Sequence, residues 1–227
     1  MKTPNKQLMR QAADALNNRW GLAICTFLVF TLILGATSVI PERMTLLYAT
    51  LPLVWLIFVY GPMVLGMATF SLAIARNEEP KFCMIFAGFK QNYWKSIGVF
   101  LLVLCFVLLG MLLLIIPGFV VAFMLALSFF ILRDNPEIGV VEALKKSRKM
   151  MNGYKMKYFG LMMIFLGVYL LCALPLALVM VLNISGLFIF TLLISAVFFL
   201  FILPFIQVSV AKFYEDVKAN YVGAEVS

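Results

Sequence analysis

The chain has no histidine and only ten acidic residues among 227. Without histidine there can be no Ser–His pair and no imidazole ligand for a catalytic metal. All ten acids fall in loops or at the ends of apolar runs, so no carboxylate sits within a span to carry a proton or a cation. Glu78-Glu79 is similar to the paired acids of intramembrane prenyl-type endopeptidases, but the following Arg and the His partners are missing; a solvated acid pair is the simpler reading. No GxxxxGK[ST] loop is present, so the chain does not hydrolyse ATP by that route. Cys25, Cys83, Cys105 and Cys172 form no CxxC or metal-ligand spacing, which argues against disulfides and zinc. No polar stretch exceeds ~25 residues, too short to bury a soluble core of its own. An enzyme, a metal and a cofactor are therefore not expected.

What the chain does have is apolar sequence. Hydrophobic residues make up 64% and the mean hydropathy is +1.06. Apolar runs alternate with basic segments, the pattern of an all-α polytopic integral membrane protein. The first run, Trp20–Ile40, is too long for a signal-peptide core and lacks a cleavage pattern, so it reads as a retained span. Pro41-Glu42-Arg43 turns into a second run, Thr45–Ala75, with bend points at Pro52 and Gly61-Pro62. Residues 97–132 would make one helix of ~54 Å, nearly twice a bilayer core. Both flanks of this stretch are basic, which requires an even number of crossings. A hairpin with its turn at Pro117-Gly118 satisfies that, Ile97–Ile116 out and Gly118–Leu132 back; a re-entrant pair is the alternative. Tyr158–Leu182 and Leu187–Ala211 form the last pair, turning at Asn183-Ile184-Ser185-Gly186.

This threading gives six transmembrane helices as three hairpins within one domain. Residues 1–19 form an amphipathic N-terminal helix and 20–75 the first hairpin. A basic loop with an amphipathic helix covers 76–96, the second hairpin 97–132, a basic helix 133–157, the third hairpin 158–211 and a tail 212–227. It places every one of the 18 Lys and Arg residues except Arg43 on one side, so both termini are expected in the cytoplasm.

An internal repeat is also suggested. Asn17-Asn18-Arg19-Trp20-Gly21, Gln91-Asn92-Tyr93-Trp94-Lys95 and Met151-Asn152-Gly153-Tyr154-Lys155 lead into the three hairpins. The exits rhyme as well: Ser71 to Arg76-Asn77, Ser128 to Arg133-Asp134, and Ser209 to Tyr214-Glu215. Leu8, Ala12, Ala15 and Leu16 share a face upstream of the first hairpin. Pro80, Phe82, Ile85, Phe86 and Phe89 do so before the second, and Ile138, Val141, Leu144 and Met151 before the third, with Pro136 at N1 and Asp134 or Asn135 as cap. Three hairpins about a pseudo-threefold axis would follow; aromatic and basic anchors at any three membrane boundaries would look similar.

Two sets of residues are candidates for function. Lys90, Lys95, Lys145, Lys146, Arg148, Lys149, Lys155 and Lys157 would face the headgroups and attract anionic lipid; enforcing orientation alone is the competing reading. Gly61, Pro62, Pro117, Gly118 and Pro204 are places where a helix could break and free carbonyls, and Thr191, Gln207 and Ser209 are polar groups within spans that could line a cavity. Such residues more often kink helices or bond neighbouring ones.

Several motifs resemble those of one bacterial membrane protein family. They are Ala75-Arg76-Asn77-Glu78-Glu79-Pro80-Lys81-Phe82, Phe86-Ala87-Gly88-Phe89-Lys90, Ile115-Ile116-Pro117-Gly118, Asp134-Asn135-Pro136-Glu137, Glu142-Ala143-Leu144-Lys145-Lys146-Ser147 and Phe213-Tyr214-Glu215-Asp216. The family is catalogued as domain of unknown function 975. The resemblance covers nearly the whole chain and implies a multi-pass protein of the bacterial plasma membrane. It supplies no activity, and Cys83-Met84 stand where acidic residues are expected. Two function classes remain. One is a non-enzymatic scaffold or accessory subunit whose basic face binds anionic membrane lipid, a membrane protein partner or a second copy, and not nucleic acid. The other is a carrier for a lipid or amphipathic peptide, neither ATP-hydrolysing nor proton-coupled, which would need a cavity between the hairpins.

Overall fold

The computed structural model describes residues 3–36, 52–182 and 185–226, and among them all regular structure is helical. The helices are α1 (Asn5–Leu16), α2 (Trp20–Gly35), α3 (Pro52–Ala75), α4 (Ala87–Lys90, entered from a 3-10 turn at Phe82–Phe86), α5 (Tyr93–Leu113), α6 (Ile115–Leu125), α7 (Ser128–Asp134), α8 (Val140–Met150), α9 (Lys155–Val181) and α10 (Ser185–Val226). Among the described residues five stretches are long and apolar enough to cross a membrane: α3, α5, α6 with α7, α9 and, in α10, Gly186–Tyr221. α2 has 16 described residues and meets α1 at a bend of 99°; only that pair taken together passes the same test. The expected turn at Pro41-Glu42-Arg43 lies outside the described residues, as do the start of the second span up to Leu51 and the residues Asn183 and Ile184.

The chain turns into α2, α5 and α9 in the same way. Asn18 (φ 64°), Asn92 (φ 58°) and Gly153 (φ 78°) each take the left-handed conformation just before the helix begins. Asparagine and glycine reach that region at little cost, so each ends the preceding segment and redirects the backbone.

Residues 97–132 do not form one continuous helix. The reversal is at Leu114, whose backbone is extended (φ −165°, ψ 150°), not at Pro117-Gly118. Pro117 falls in the first turn of α6, where a missing N–H leaves no bond unmade. Gly118 lies against Gly110, and a Cβ on Gly110 would come within 2.9 Å of the Gly118 Cα, so glycine on both helices permits the close approach.

Two further expectations are corrected. The surface helix before α9 begins at Val140, not Pro136. Gly139 is its N-cap, donating its backbone N–H to Glu142 Oε2 at 3.3 Å. Neither Asp134 nor Asn135 caps it, because Asp134 is engaged by cations and the Asn135 side chain donates to the Ile131 carbonyl at 3.2 Å. The segment around residues 82–90 is not a regular amphipathic helix either. Its backbone presses directly on α3: a Cβ on Gly66 would sit 1.8 Å from the Ile85 carbonyl oxygen, and one on Gly88 would sit 2.1 Å from that of Pro62. Docking at that distance fixes the path of the main chain and leaves Phe82 and Phe89 exposed. In α1, by contrast, the four residues on the expected face, Leu8, Ala12, Ala15 and Leu16, are all buried.

Packing is concentrated at the charged end. There α1 lies on α10, the 82–90 segment on α3, and α8 on α7. One apolar cluster joins Leu72, Leu127, Ile131, Phe213 and Tyr214, and a second joins Leu16, Phe27, Met67, Ile74 and Val208. Ser71, Ser128 and Ser209 are fully buried and donate to the carbonyls of Met67, Leu125 and Phe205 in their own helices or the preceding turn. Small residues let helices approach, and back-bonded hydroxyls leave no polar group unpaired in an apolar setting.

Candidate functional site

Two groups of charge occupy the charged end, and they differ in what they are bonded to. The first is a closed cluster at the ends of α3, α7 and α10. Asp134, 5% exposed, accepts from Arg76 Nη2 at 2.8 Å, from Tyr214 Oη at 3.0 Å and from Lys218. Arg76 also reaches Glu215 Oε1 at 2.6 Å. Burial works against the Arg76 charge, but its bonds to Asp134 and Glu215 outweigh this and hold the guanidinium above its ordinary value. Close by, Lys157 Nζ pairs with Asp216 at 2.6 Å, Thr3 donates to the same carboxylate, and Asn5 Nδ2 donates to the Lys157 carbonyl at 2.9 Å. The charged groups of this cluster pair with one another, so it is a fastening between helices; Asn5 Oδ1, buried beside it, accepts no hydrogen bond.

The second group is open. On α8, Lys145, Arg148 and Lys149 stand at i, i+3 and i+4, which puts them on one helical face. Lys155 at the start of α9 and Asn152 in the turn between complete a pocket of about 400 Å³ whose floor includes Met124. Among the described residues none of these four cations has an ion pair.

The position of α8 explains the pocket. The break between α6 and α7 leaves the Met124 carbonyl in a last helical turn, where it has no partner within the helix. Ser147 Oγ donates to it at 2.8 Å and pins the middle of α8 there. At its other end, Val140 packs on Gly98 of α5, 3.1 Å from where a Cβ would be. Held at these two points, α8 bridges α5 and α6 above an apolar groove of about 570 Å³. Leu102 and Phe106 of α5, Val121, Met124 and Leu125 of α6, and Val141 and Leu144 of α8 line it. Met124, Lys145 and Arg148 line both the groove and the basic pocket, so the two adjoin.

The other basic candidates are placed elsewhere. Lys146 lines a neighbouring pocket with Glu142 and Tyr221, and Lys145 and Lys149 reach that pocket too. Lys157 is held by Asp216, Lys95 Nζ donates to the Pro136 carbonyl at 2.6 Å, and Lys90 is exposed at the end of α4.

The helix-break and polar candidates do not converge. Pro62 has no N–H for the Phe58 carbonyl; a π-helical turn, Leu56–Tyr60, precedes it, and Tyr93 Oη donates to Phe58 at 3.3 Å. Gly61 is packed on Ser96. Pro117 and Gly118 lie beside the turn of α5 and α6, and Pro204 lies inside α10. Thr191 and Ser209 bond carbonyls within α10, and Gln207 is half-buried. A groove of about 320 Å³ between α9 and α10 is lined by other residues, among them Tyr169, Cys172, Ser195 and Phe199, with no charged group.

Sequence reasoning missed the groove and the role of Asp134. Leu102 and Phe106 are spaced i, i+4, and Val141, Leu144 and Arg148 are spaced i, i+3, i+7, signals shared with any buried helix face.

Residues 100–221 match the family described as "Protein of unknown function (DUF975)". Neither the curated proteins nor the solved structures contain a match.

Proposed function

We propose, from the premise that the chain belongs to the DUF975 family, for which no activity is assigned, that it is a non-enzymatic membrane scaffold whose basic face holds anionic lipid. In this reading it sits in a bacterial plasma membrane with both termini cytoplasmic and six spans paired as three hairpins. The observation that carries it is the contrast between the two charge groups: the cations of the closed cluster are paired within the chain, whereas Lys145, Arg148, Lys149 and Lys155 line a pocket with no acid in its lining and, among the described residues, form no ion pair; the nearest acid on the helix, Glu142, lines the adjoining pocket with Lys145 and Lys149. Cations that only enforced orientation could be spread over the loops. Four gathered at one pocket repel one another, and an anionic headgroup offsets that repulsion, at ~1 kcal/mol per cation near an anionic surface.

The threefold arrangement is supported by how the surface segments pack. Each segment leading into one hairpin lies on the second arm of the previous one: 82–90 on α3, α8 on α7, and α1 on α10. The left-handed residues Asn18, Asn92 and Gly153, and the buried Ser71, Ser128 and Ser209, fall at corresponding places in the three units.

The test replaces Lys145, Lys146, Arg148 and Lys149 with Gln and leaves the other loops basic, so that topology is preserved. Anionic lipid co-purified in mild detergent should fall, and its salt sensitivity should weaken. If lipid and salt response are unchanged, these residues are a topology signal and nothing more. Reporter fusions after Asn77, Asn135 and Ser227 should all read cytoplasmic, and one at Glu42 should not.

A further inference from the structure

We infer that the groove beneath α8 and the basic pocket beside it form one built site for a single anionic phospholipid, with the phosphate among Lys145, Arg148, Lys149 and Lys155 and one acyl chain under the helix. This rests on the reading of the basic face given above and makes it specific: a fixed lipid in place of a diffuse lipid surface. Its support is the adjacency of two cavities that differ in charge. The groove of about 570 Å³ is walled by apolar side chains with Lys145 and Arg148 at its edge, and these two residues also line the neighbouring pocket, where Lys149 and Lys155 join them. Its volume is in the range of ~300–1,000 Å³ seen for small-molecule sites. A phospholipid has the matching division, an apolar chain joined to a phosphate. Free phosphate would fill only the pocket.

The walls are fixed before any lipid arrives. Ser147 ties α8 to Met124, and Val140 ties it to Gly98. Such a site loses less freedom on binding than loose surface lysines would. Its preference for an anionic lipid comes from the headgroup, because a chain moving from bilayer to groove exchanges one apolar setting for another. The groove supplies position, holding the lipid against exchange.

The test uses the full chain in mild detergent and native mass spectrometry with dioleoyl phosphatidylglycerol. Dioleoyl phosphatidylcholine, with the same chains and a phosphate but no net charge, is the zwitterionic control, water-soluble glycerophosphoglycerol is the headgroup-only probe, and inorganic phosphate is a fourth arm. The wild-type chain should retain one phosphatidylglycerol against an excess of phosphatidylcholine, and neither glycerophosphoglycerol nor phosphate at the same concentration should displace it. Val141→Trp, at a position 54% exposed and so tolerant of bulk, fills the groove from its lid and should abolish retention. Lys145→Gln with Arg148→Gln should lower retention at least about tenfold at low salt, from the loss of two headgroup cations. If V141W retains the lipid as wild type does, or if glycerophosphoglycerol displaces it at equal concentration, the groove is no part of the site, while a loss in the double variant would leave the basic-face reading standing. If the double variant retains phosphatidylglycerol unchanged, both fall.

Discussion

The two halves of α10 are both apolar helix, yet they live in different surroundings. From Ile202 to Val217 the helix is largely buried against α1 and α3 at the charged end. From Leu187 to Phe201 it is largely exposed, with Phe190 at 63% and Leu193 at 60%. The same division runs through the molecule. α3 beyond Gly61 and α7 are packed, while α9 and the far ends of α5 and α6 present Leu, Ile and Phe outward. Apolar side chains can coat either kind of surface, because lipid tails are as apolar as leucine. The packed end differs in having small residues, back-bonded serines and paired charges, which associate helices where hydrophobicity cannot.

If that contrast is correct, the largest effect should come from the closed cluster. Asp134→Ala strips Arg76, Tyr214 and Lys218 of a shared acceptor and should cost about 3–5 kcal/mol in mixed-micelle unfolding. Leu193→Ala on the exposed arm should stay within ~0.5 kcal/mol. Equal costs would mean that the cluster does not fasten the three arms.

Glycine substitution should change sign between the regions. Gly66→Ala drives a methyl into the Ile85 carbonyl and should destabilise by about 1–3 kcal/mol or more. Gly167→Ala in α9 meets nothing within 4 Å and should stabilise by up to ~1 kcal/mol through helix propensity. A thermal scan of the two variants side by side, read by helical circular dichroism, checks the sign; two losses of similar size would refute the division.

The smallest contrast concerns hydroxyls. Ser147→Ala removes the side-chain bond from α8 to the Met124 carbonyl of α6, and about 1 kcal/mol should be lost, with faster amide exchange in α8. Thr191→Ala removes bonds within one exposed helix and should be silent to within ~0.5 kcal/mol. Uniform exchange in α8 across wild type and S147A would show that the helix is held by apolar contacts alone.

The helical class and the presence of several apolar, membrane-length helices were legible in the sequence because they depend on local composition. So was the buried face of α1, since Leu8, Ala12, Ala15 and Leu16 recur at helical spacing. The trio Lys145, Arg148 and Lys149 could be placed on one face by the same rule. The turn at Leu114 was misread by a few residues because Pro-Gly usually marks a turn, and here proline opens the returning helix instead. The exits at Arg76, Asp134 and Glu215 were recognised as a rhyme but not as partners.

Periodicity and charge alternation therefore determined that this chain is helical, that it belongs in a membrane, and where its cations cluster, since each depends on neighbours in sequence. Tertiary structure alone decided which charges are cancelled and which are left open. Arg76 and Glu215 meet across 139 positions, and the groove draws its walls from three helices. Nothing local marks Lys157 as bonded and Lys155 as open; that difference arises only when α10 brings Asp216 beside one of them.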